Sequence, residues 1–285
     1  MQFTSLQDLT ARAEALGPGP VLMVLCEDGI EVAGTVAHHL GPAGFRCVVL
    51  ALAPGVPCPD LPDGAHSLTL DRRPEDMATA CVNALIDGRP AGSWIAWCYN
   101  AEYLFTPFME TRTVGEALAF CTEERRDAVR TIIVDLYGAE MAAPLDPGAA
   151  WLDPVGYYAL DRWDKLAGAP LERQQDVFGG LRWRFEEHVP WERRSIARVS
   201  MFRTARDLRL LADHTTNDAE RNTYSAPWHP SPSACVASFR AAKALSGNPG
   251  SRRAIAALKW AGSVPFEWRA QQLMDLGLME PGQWF

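Results

Sequence analysis

Five short apolar runs, each bounded by turn residues and separated by helix-length stretches, set the strongest limit on how this chain can fold. They are "VLMVLC" (Val21–Cys26), "FRCVVLALAP" (45–54), "HSLTL" (His66–Leu70), "SWIAWC" (Ser93–Cys98) and "TIIVDLYG" (Thr131–Gly138). Runs of this length with no polar alternation are what a strand buried on both faces requires. Between them, residues 5–16, 30–40, 74–87 and 113–130 carry helical spacing, with breakers such as "GPGP" at Gly17–Pro20 and Gly41 at their ends. Strand, helix, strand in succession is the βαβ unit, so residues 1–138 are expected to form an α/β half around a mainly parallel sheet.

After Gly138 the pattern changes. A Pro-, Gly- and Ala-rich loop (139–156) is followed by expected short strands at "RWRFEEH", "IARVSMFR" and "LRLLADHT". Then come a loop at 217–232, and helices at 233–245, 252–260 and 268–276. These strands are too few for an independent sandwich, so 139–285 reads as an irregular α+β extension completing the same domain. A net charge of −8 argues against a nucleic-acid-binding surface, which needs clustered Lys and Arg. Seven widely spaced cysteines with no C-x-x-C pair point to a reducing compartment and against a Cys-rich zinc site. The N-terminus has no secretory pattern and no apolar run reaches membrane-spanning length, so the expectation is a cytoplasmic protein without a transmembrane segment. Ten tryptophans suit packing, or a stacking platform for a ring-shaped ligand.

In open α/β sheets ligands bind outside the carboxyl ends of the strands. Polar residues stand at three such ends: Glu27 and Asp28, Asn100 and Glu102, and Asp135. No G-x-G-x-x-G, P-loop or G-x-S-x-G motif follows any of them, which removes the common dinucleotide, nucleoside-triphosphate and serine-hydrolase readings. Glu27 and Asp28 suit a ribose or base, or a helix N-terminus. His38 and His39 end the following helix, where protonated imidazoles complement the dipole. His214 and His229 flank a loop with Asp213, Asp218 and Glu220 and are candidates for a divalent cation, although their spacing fits no known signature. Gly179 and Gly180 permit close backbone approach to a ligand, and Arg182 and Arg184 suit a phosphate; a bulged strand with one basic face explains the same residues.

Five stretches, in order, resemble the family 2 glycosyltransferases of GT-A fold, in the bacterial branch that opens with a "KNE"-type strand end. They are "VLCEDGIEVAGTVAHHLGPAGF", "CYNAEYLFTPFMETRTVGEALAF", "VDLYG", "FGGLRWR" and "GSVPFEWRAQQLMDLGLM". The resemblance implies a GT-A-like nucleotide-binding fold. It also implies a nucleotide-sugar donor, a glycan or other hydroxyl acceptor, and a site including Glu27, Asp28, Tyr99, Asn100, Gly179, Gly180, Arg182 and Arg240. Glu102 or Asp135 is then the expected acceptor-side base. Family members hold a divalent cation, Mn or Mg, on an Asp-x-Asp motif. Here those positions are Tyr99 and Ala101, and "ACVASFRAAKAL" puts Ser238, Phe239 and Arg240 where a His-aromatic-Lys is typical. Both metal-side elements differ together, so the expectation is transfer without a carboxylate-bound metal and without another cofactor. The alternative is a non-catalytic binding or scaffold protein on the same fold.

Overall fold

In this computed structural model the described residues are 1–141, 143–164, 166–225 and 230–284. The first half runs β1 (Gln2–Phe3), α1 (Leu6–Arg12), β2 (Val21–Cys26), α2 (Val32–Leu40), β3 (Cys47–Leu52), β4 (Ala65–Thr69), α3 (Met77–Gly88), β5 (Trp94–Tyr99), β6 (Glu102–Phe105), α4 (Val114–Glu123) and β7 (Ala128–Asp135). The second half adds β8 (Trp151–Leu152), β9 (Tyr158–Asp164), β10 (Ala169–Phe178), α5 (Gly180–Arg184), β11 (Ala197–Arg203), β12 (Ala234–Ser238), α6 (Arg240–Gly247), α7 (Pro249–Ala254), β13 (Val264–Pro265) and α8 (Ala270–Asp275).

Nine strands form one sheet in the order β1-β4-β3-β2-β5-β11-β7-β12-β6. β11 is antiparallel to both its neighbours and β6 is antiparallel to β12; the others run one way. The sheet is therefore mainly parallel, and buried on both faces. All six residues of β2 are buried, with Leu22, Val24 and Cys26 in one core and Val21, Met23 and Leu25 in the other. The first core takes in α2, α4 and α8; the second takes in α1 and α3. Two-sided burial is why the strands read as unbroken apolar runs.

The second half enters the sheet through β11 and β12, on either side of β7. Four expectations for it are corrected. "SACVASF", expected inside a helix, is strand β12; all five of its residues are buried, and pairing with β7 overrides the helix preference of its alanines. "RWRFEEH", expected as a strand, is the helical turn α5 followed by a 3-10 turn. The backbone N–H and Nε of Arg182 both point at Asp135, at 3.3 and 3.4 Å, and the alternation of basic and aromatic residues there mimics a strand. "LRLLADHT" makes only the isolated bridge Leu210–Thr216. The helix expected at 252–260 is α7, which ends at Ala254.

The paired glycines also have a different reason from the one expected. Gly179 has φ 158°, and a Cβ there would meet the Tyr157 ring at 2.3 Å; Gly180 has φ 64°, and a Cβ there would lie 2.9 Å from the Asp135 carboxylate. Their missing side chains make room for Tyr157 and Asp135 rather than for a ligand.

β6 continues β5 through a bend at Asn100–Ala101, and Phe239 N–H donates to the Ala101 carbonyl at 3.0 Å, so the sheet curls back on itself at this end. Two histidines clamp the bend to α2. His38 Nε2 donates to the Leu104 carbonyl at 2.9 Å. Leu104 N–H donates to Nε2 of His39 at 3.1 Å, whose Nδ1 donates to the Thr35 carbonyl at 2.7 Å. The expected protonated pair at a helix end is thus corrected: burial pushes His38 down to about 4 and His39 well below its ordinary value, so both are neutral. In the unfolded chain they titrate near the ordinary histidine value of about 6.5. The unfolded state therefore takes up protons that the native state refuses, and stability present above about pH 6.5 is lost as pH falls toward 4. Urea unfolding is expected to show a loss of about 1–2 kcal/mol per histidine between roughly pH 7.5 and 5, with a shallower fall in His38→Gln. A flat profile over that window would contradict the neutral clamp.

Candidate functional site

The strand order reverses at β2: β3 and β4 lie on one side of it and β5 on the other. A crevice forms at such a switch point because the connections leaving the two strands diverge. Here it is a cleft of about 680 Å³. Tyr99 forms part of its floor, Glu27 and Asp28 one wall, and α6 with Arg240 and Lys243 another. The segment after α5 (Val189, Pro190, Arg193) and residues 212–214 close the remaining sides.

The strand-end residues of β2 and β5 are bound to each other before any ligand is considered. Asn100 Nδ2 donates to Asp28 Oδ1 at 2.6 Å and to the Ile30 carbonyl at 2.8 Å, while its Oδ1 accepts from Glu27 N–H at 3.0 Å. Asn100 is fully buried, so it holds the two acids in place and does not line the cleft. Glu27 accepts from Arg240 Nε and Nη2 at 2.9 and 3.0 Å, and from Arg73 at 3.0 Å. Asp28 pairs with Lys243 at 2.9 Å. Burial pushes Asp28 up, but Lys243 and the Ile30 N–H outweigh it and hold the carboxyl below its ordinary value.

Arg240 lies flat over Tyr99, its guanidinium carbon 3.7 Å from the ring centroid. Burial works against its charge, but the Glu27 carboxylate more than restores it and raises its pKa. The phenol itself is pushed up to about 12, chiefly by burial, and stays protonated. Arg240 and Lys243 are three residues apart on one helix, the spacing that places both on one face. Lys243 was not among the residues expected from sequence, though that spacing was readable. Arg182 also lines the cleft, and from there it reaches Asp135 at the end of β7.

The two expected catalytic carboxylates are placed elsewhere. Glu102 has no exposed surface: Oε2 accepts from Tyr99 N–H at 2.8 Å and Arg198 Nη2 at 2.9 Å, and Oε1 accepts from the Ser238 hydroxyl at 3.0 Å. Burial alone raises such a carboxyl, but Arg198 and then Arg240 outweigh it and hold Glu102 at about 2. It stands beneath Tyr99 as a support and touches nothing that enters the cleft. Arg198, missed in the sequence, is the lone basic residue in the buried part of β11. Asp135 is likewise buried under Gly180 and Arg182, with its pKa raised by burial against the pull of Arg182. Of the carboxylates that line the cleft, Glu192 and Asp213 are exposed, Asp28 keeps 41% of its side chain exposed beside Lys243, and Glu27 and Asp76 are half-buried.

His214 lines the cleft at φ 65°, its ring 5.1 Å from Trp97 and 6.4 Å from Tyr99. Burial, with Arg198 and Arg240 nearby, lowers it to about 4, so it faces the cleft as a neutral imidazole. His229, its expected partner, lies outside the described residues. Ala101, in the turn between β5 and β6, is fully buried at φ 60°. With an arginine on Tyr99 and an alanine in the turn, the donor set does not fit a carboxylate-held cation. Among the described residues no group of three or more His, Cys, Asp or Glu side chains converges as a metal site. Among them, too, no helix is long and apolar enough to cross a membrane.

Removing the Glu102 carboxylate leaves Arg198 charged, buried and unpaired, which costs about 3–5 kcal/mol. Glu102→Ala is therefore expected to lower stability by that amount in chemical denaturation, with Glu102→Ala/Arg198→Met recovering part of it. An unaltered melting curve for the single variant would show that the pair is not the support described. Comparison with protein-family models found no family that matches the chain, and comparison with curated proteins found no match.

Proposed function

We propose that the chain is a glycosyltransferase-like protein of GT-A type whose cleft takes a nucleotide-sugar, with the diphosphate met by side-chain cations in place of a metal. One observation carries the reading. In the resemblance to family 2 glycosyltransferases, Tyr99 stands at an Asp that holds the cation and Arg240 follows a metal-side His position. These two residues are in contact, at 3.7 Å, in a cleft at the sheet's switch point. A permanent positive charge thus occupies the place where the family carries its cation, and Lys243 and Arg182 add two more along the same cleft. Guanidinium and ammonium groups neutralise a departing diphosphate by the same electrostatics as a metal ion. Glu27 and Asp28 orient these cations until a ligand arrives, and the buried Tyr99 ring carries the Arg240 guanidinium on its face. Any acceptor-side base comes from a carboxylate with surface in the cleft, Glu192, Asp213 or Asp28, since Glu102 and Asp135 are enclosed.

That enclosure favours a second reading, a protein that binds a nucleotide-sugar or glycan without transferring it. The two share a first test and part at a second. Thermal melting against nucleoside diphosphates and nucleotide-sugars is expected to give a rise with one nucleotide, because a ligand specific to the native state stabilises it by mass action. The rise is expected to survive EDTA, and Arg240→Met to weaken the apparent affinity at least about tenfold, the scale of one lost charge-assisted pair. No rise with any nucleotide or nucleotide-sugar ends the transferase reading and the nucleotide-sugar form of the second. A rise that needs manganese overturns the metal-free one. Release of free nucleotide from the bound nucleotide-sugar then separates transfer from binding alone.

A further inference from the structure

Away from the cleft, between the sheet and the segment 213–224, lies a second and much smaller cavity of about 30 Å³. Four arginines line it: Arg130 on β7, Arg162 on β9, Arg198 on β11 and Arg221. No carboxylate does; among the described residues the rest of the wall is amide, hydroxyl, phenol and apolar. Three of the four have carboxylate partners outside the cavity. Arg162 pairs with Asp176 at 2.7 Å, Arg198 with Glu102 at 2.9 Å, and Arg221 with Asp218 and, at 3.4 Å, Asp127.

Two donors are left over. Among the described residues Arg130 has no carboxylate within ion-pair distance, Glu280 acting on it only from farther off; its guanidinium donates to Gln175 Oε1 at 3.2 Å and lies 5.8 Å from the centre of the Tyr224 ring. Burial lowers its pKa, the mark of a guanidinium taken out of water without full compensation. Arg221 Nε is buried and has no hydrogen-bond acceptor among the described residues. Leaving a charged donor buried and unsatisfied is costly, and proteins ordinarily avoid it.

We propose that this cavity binds a single chloride ion, held between Arg130 and Arg221. At about 30 Å³ the space exceeds the roughly 10–15 Å³ that one water needs, so a monatomic anion fits it readily, while a phosphate or carboxylate-bearing ligand would crowd it. A water satisfies one or two donors but supplies no charge, and among the described residues the only charged groups in the wall are the four arginines. The ion's position gives it a role: Arg221 and Thr215 belong to the segment that carries Asp213 and His214 into the cleft. Tying Arg221 to Arg130 fixes that segment to β7.

The test uses bromide in place of chloride. Crystals of the full chain grown or soaked in sodium bromide are expected to show an anomalous peak in contact with Arg130 and Arg221. In solution, sodium chloride is expected to raise the melting temperature saturably over sodium gluconate at equal ionic strength. Arg130→Gln is expected to raise the half-saturating chloride concentration at least about fivefold, the scale of one charged hydrogen bond. Density in the cavity without anomalous signal identifies a water and overturns the proposal. So does a chloride effect of equal strength in Arg130→Gln, which would be a general salt effect. If that variant does not fold, Arg130→Lys is measured in its place, and the bromide experiment decides on the native chain in either case.

Discussion

The carboxylate of Glu102 is the point on which this structure turns. It begins β6, accepts from the backbone of Tyr99 at the end of β5, from Arg198 on β11 and from Ser238 at the end of β12. One buried side chain thereby ties four strands of the sheet at the end where the cleft opens. Taking an ion pair out of water costs several kcal/mol per charge, so such a pair adds little net stability over an apolar replacement. What it fixes is geometry: the bend at Asn100–Ala101, the height of the Tyr99 ring, and the start of α6 just beyond Ser238.

The cleft follows from that arrangement. Tyr99 is held from below by Glu102 through its own N–H and covered from above by Arg240. Arg240 is placed by its position two residues beyond Ser238, whose hydroxyl accepts from the Arg240 N–H at 3.2 Å. Opposite it, Asn100 spaces Glu27 and Asp28 so that each meets one cation of α6. Charges that in solution would be mobile on long side chains are thus held in fixed pairs. Any anion that enters the cleft competes with Glu27 and Asp28 for cations already in position.

Three histidines, His38, His39 and His214, have uses different from those their residue type first implies. His38 and His39 are neutral hydrogen-bonding groups, one donating to and one accepting from the same residue of β6. His214 is neutral too, packed against Trp97 in a left-handed backbone conformation. In each case desolvation outweighs the nearby charges, and the imidazole serves as a shaped polar group.

The sequence by itself determined the α/β half. Its strands are buried on both faces, and two-sided burial leaves a local signature, a short run of apolar residues, that needs no knowledge of neighbours. The polar strand ends were legible for the same reason: Glu27, Asp28, Asn100 and Glu102 interrupt such runs abruptly. What their side chains do was decided only by tertiary structure, because Glu102 becomes a support rather than a reactive group through Arg198, 96 residues away. The same holds for β12, whose alanines favour a helix until β7 and β6 pair with it from either side, and for Gly179 and Gly180, whose reason is the approach of Tyr157 and Asp135. Periodicity records which face of an element is buried. It does not record which distant charge will lie against a given carboxylate, and burial with such a partner separates a structural acid from one that meets a ligand.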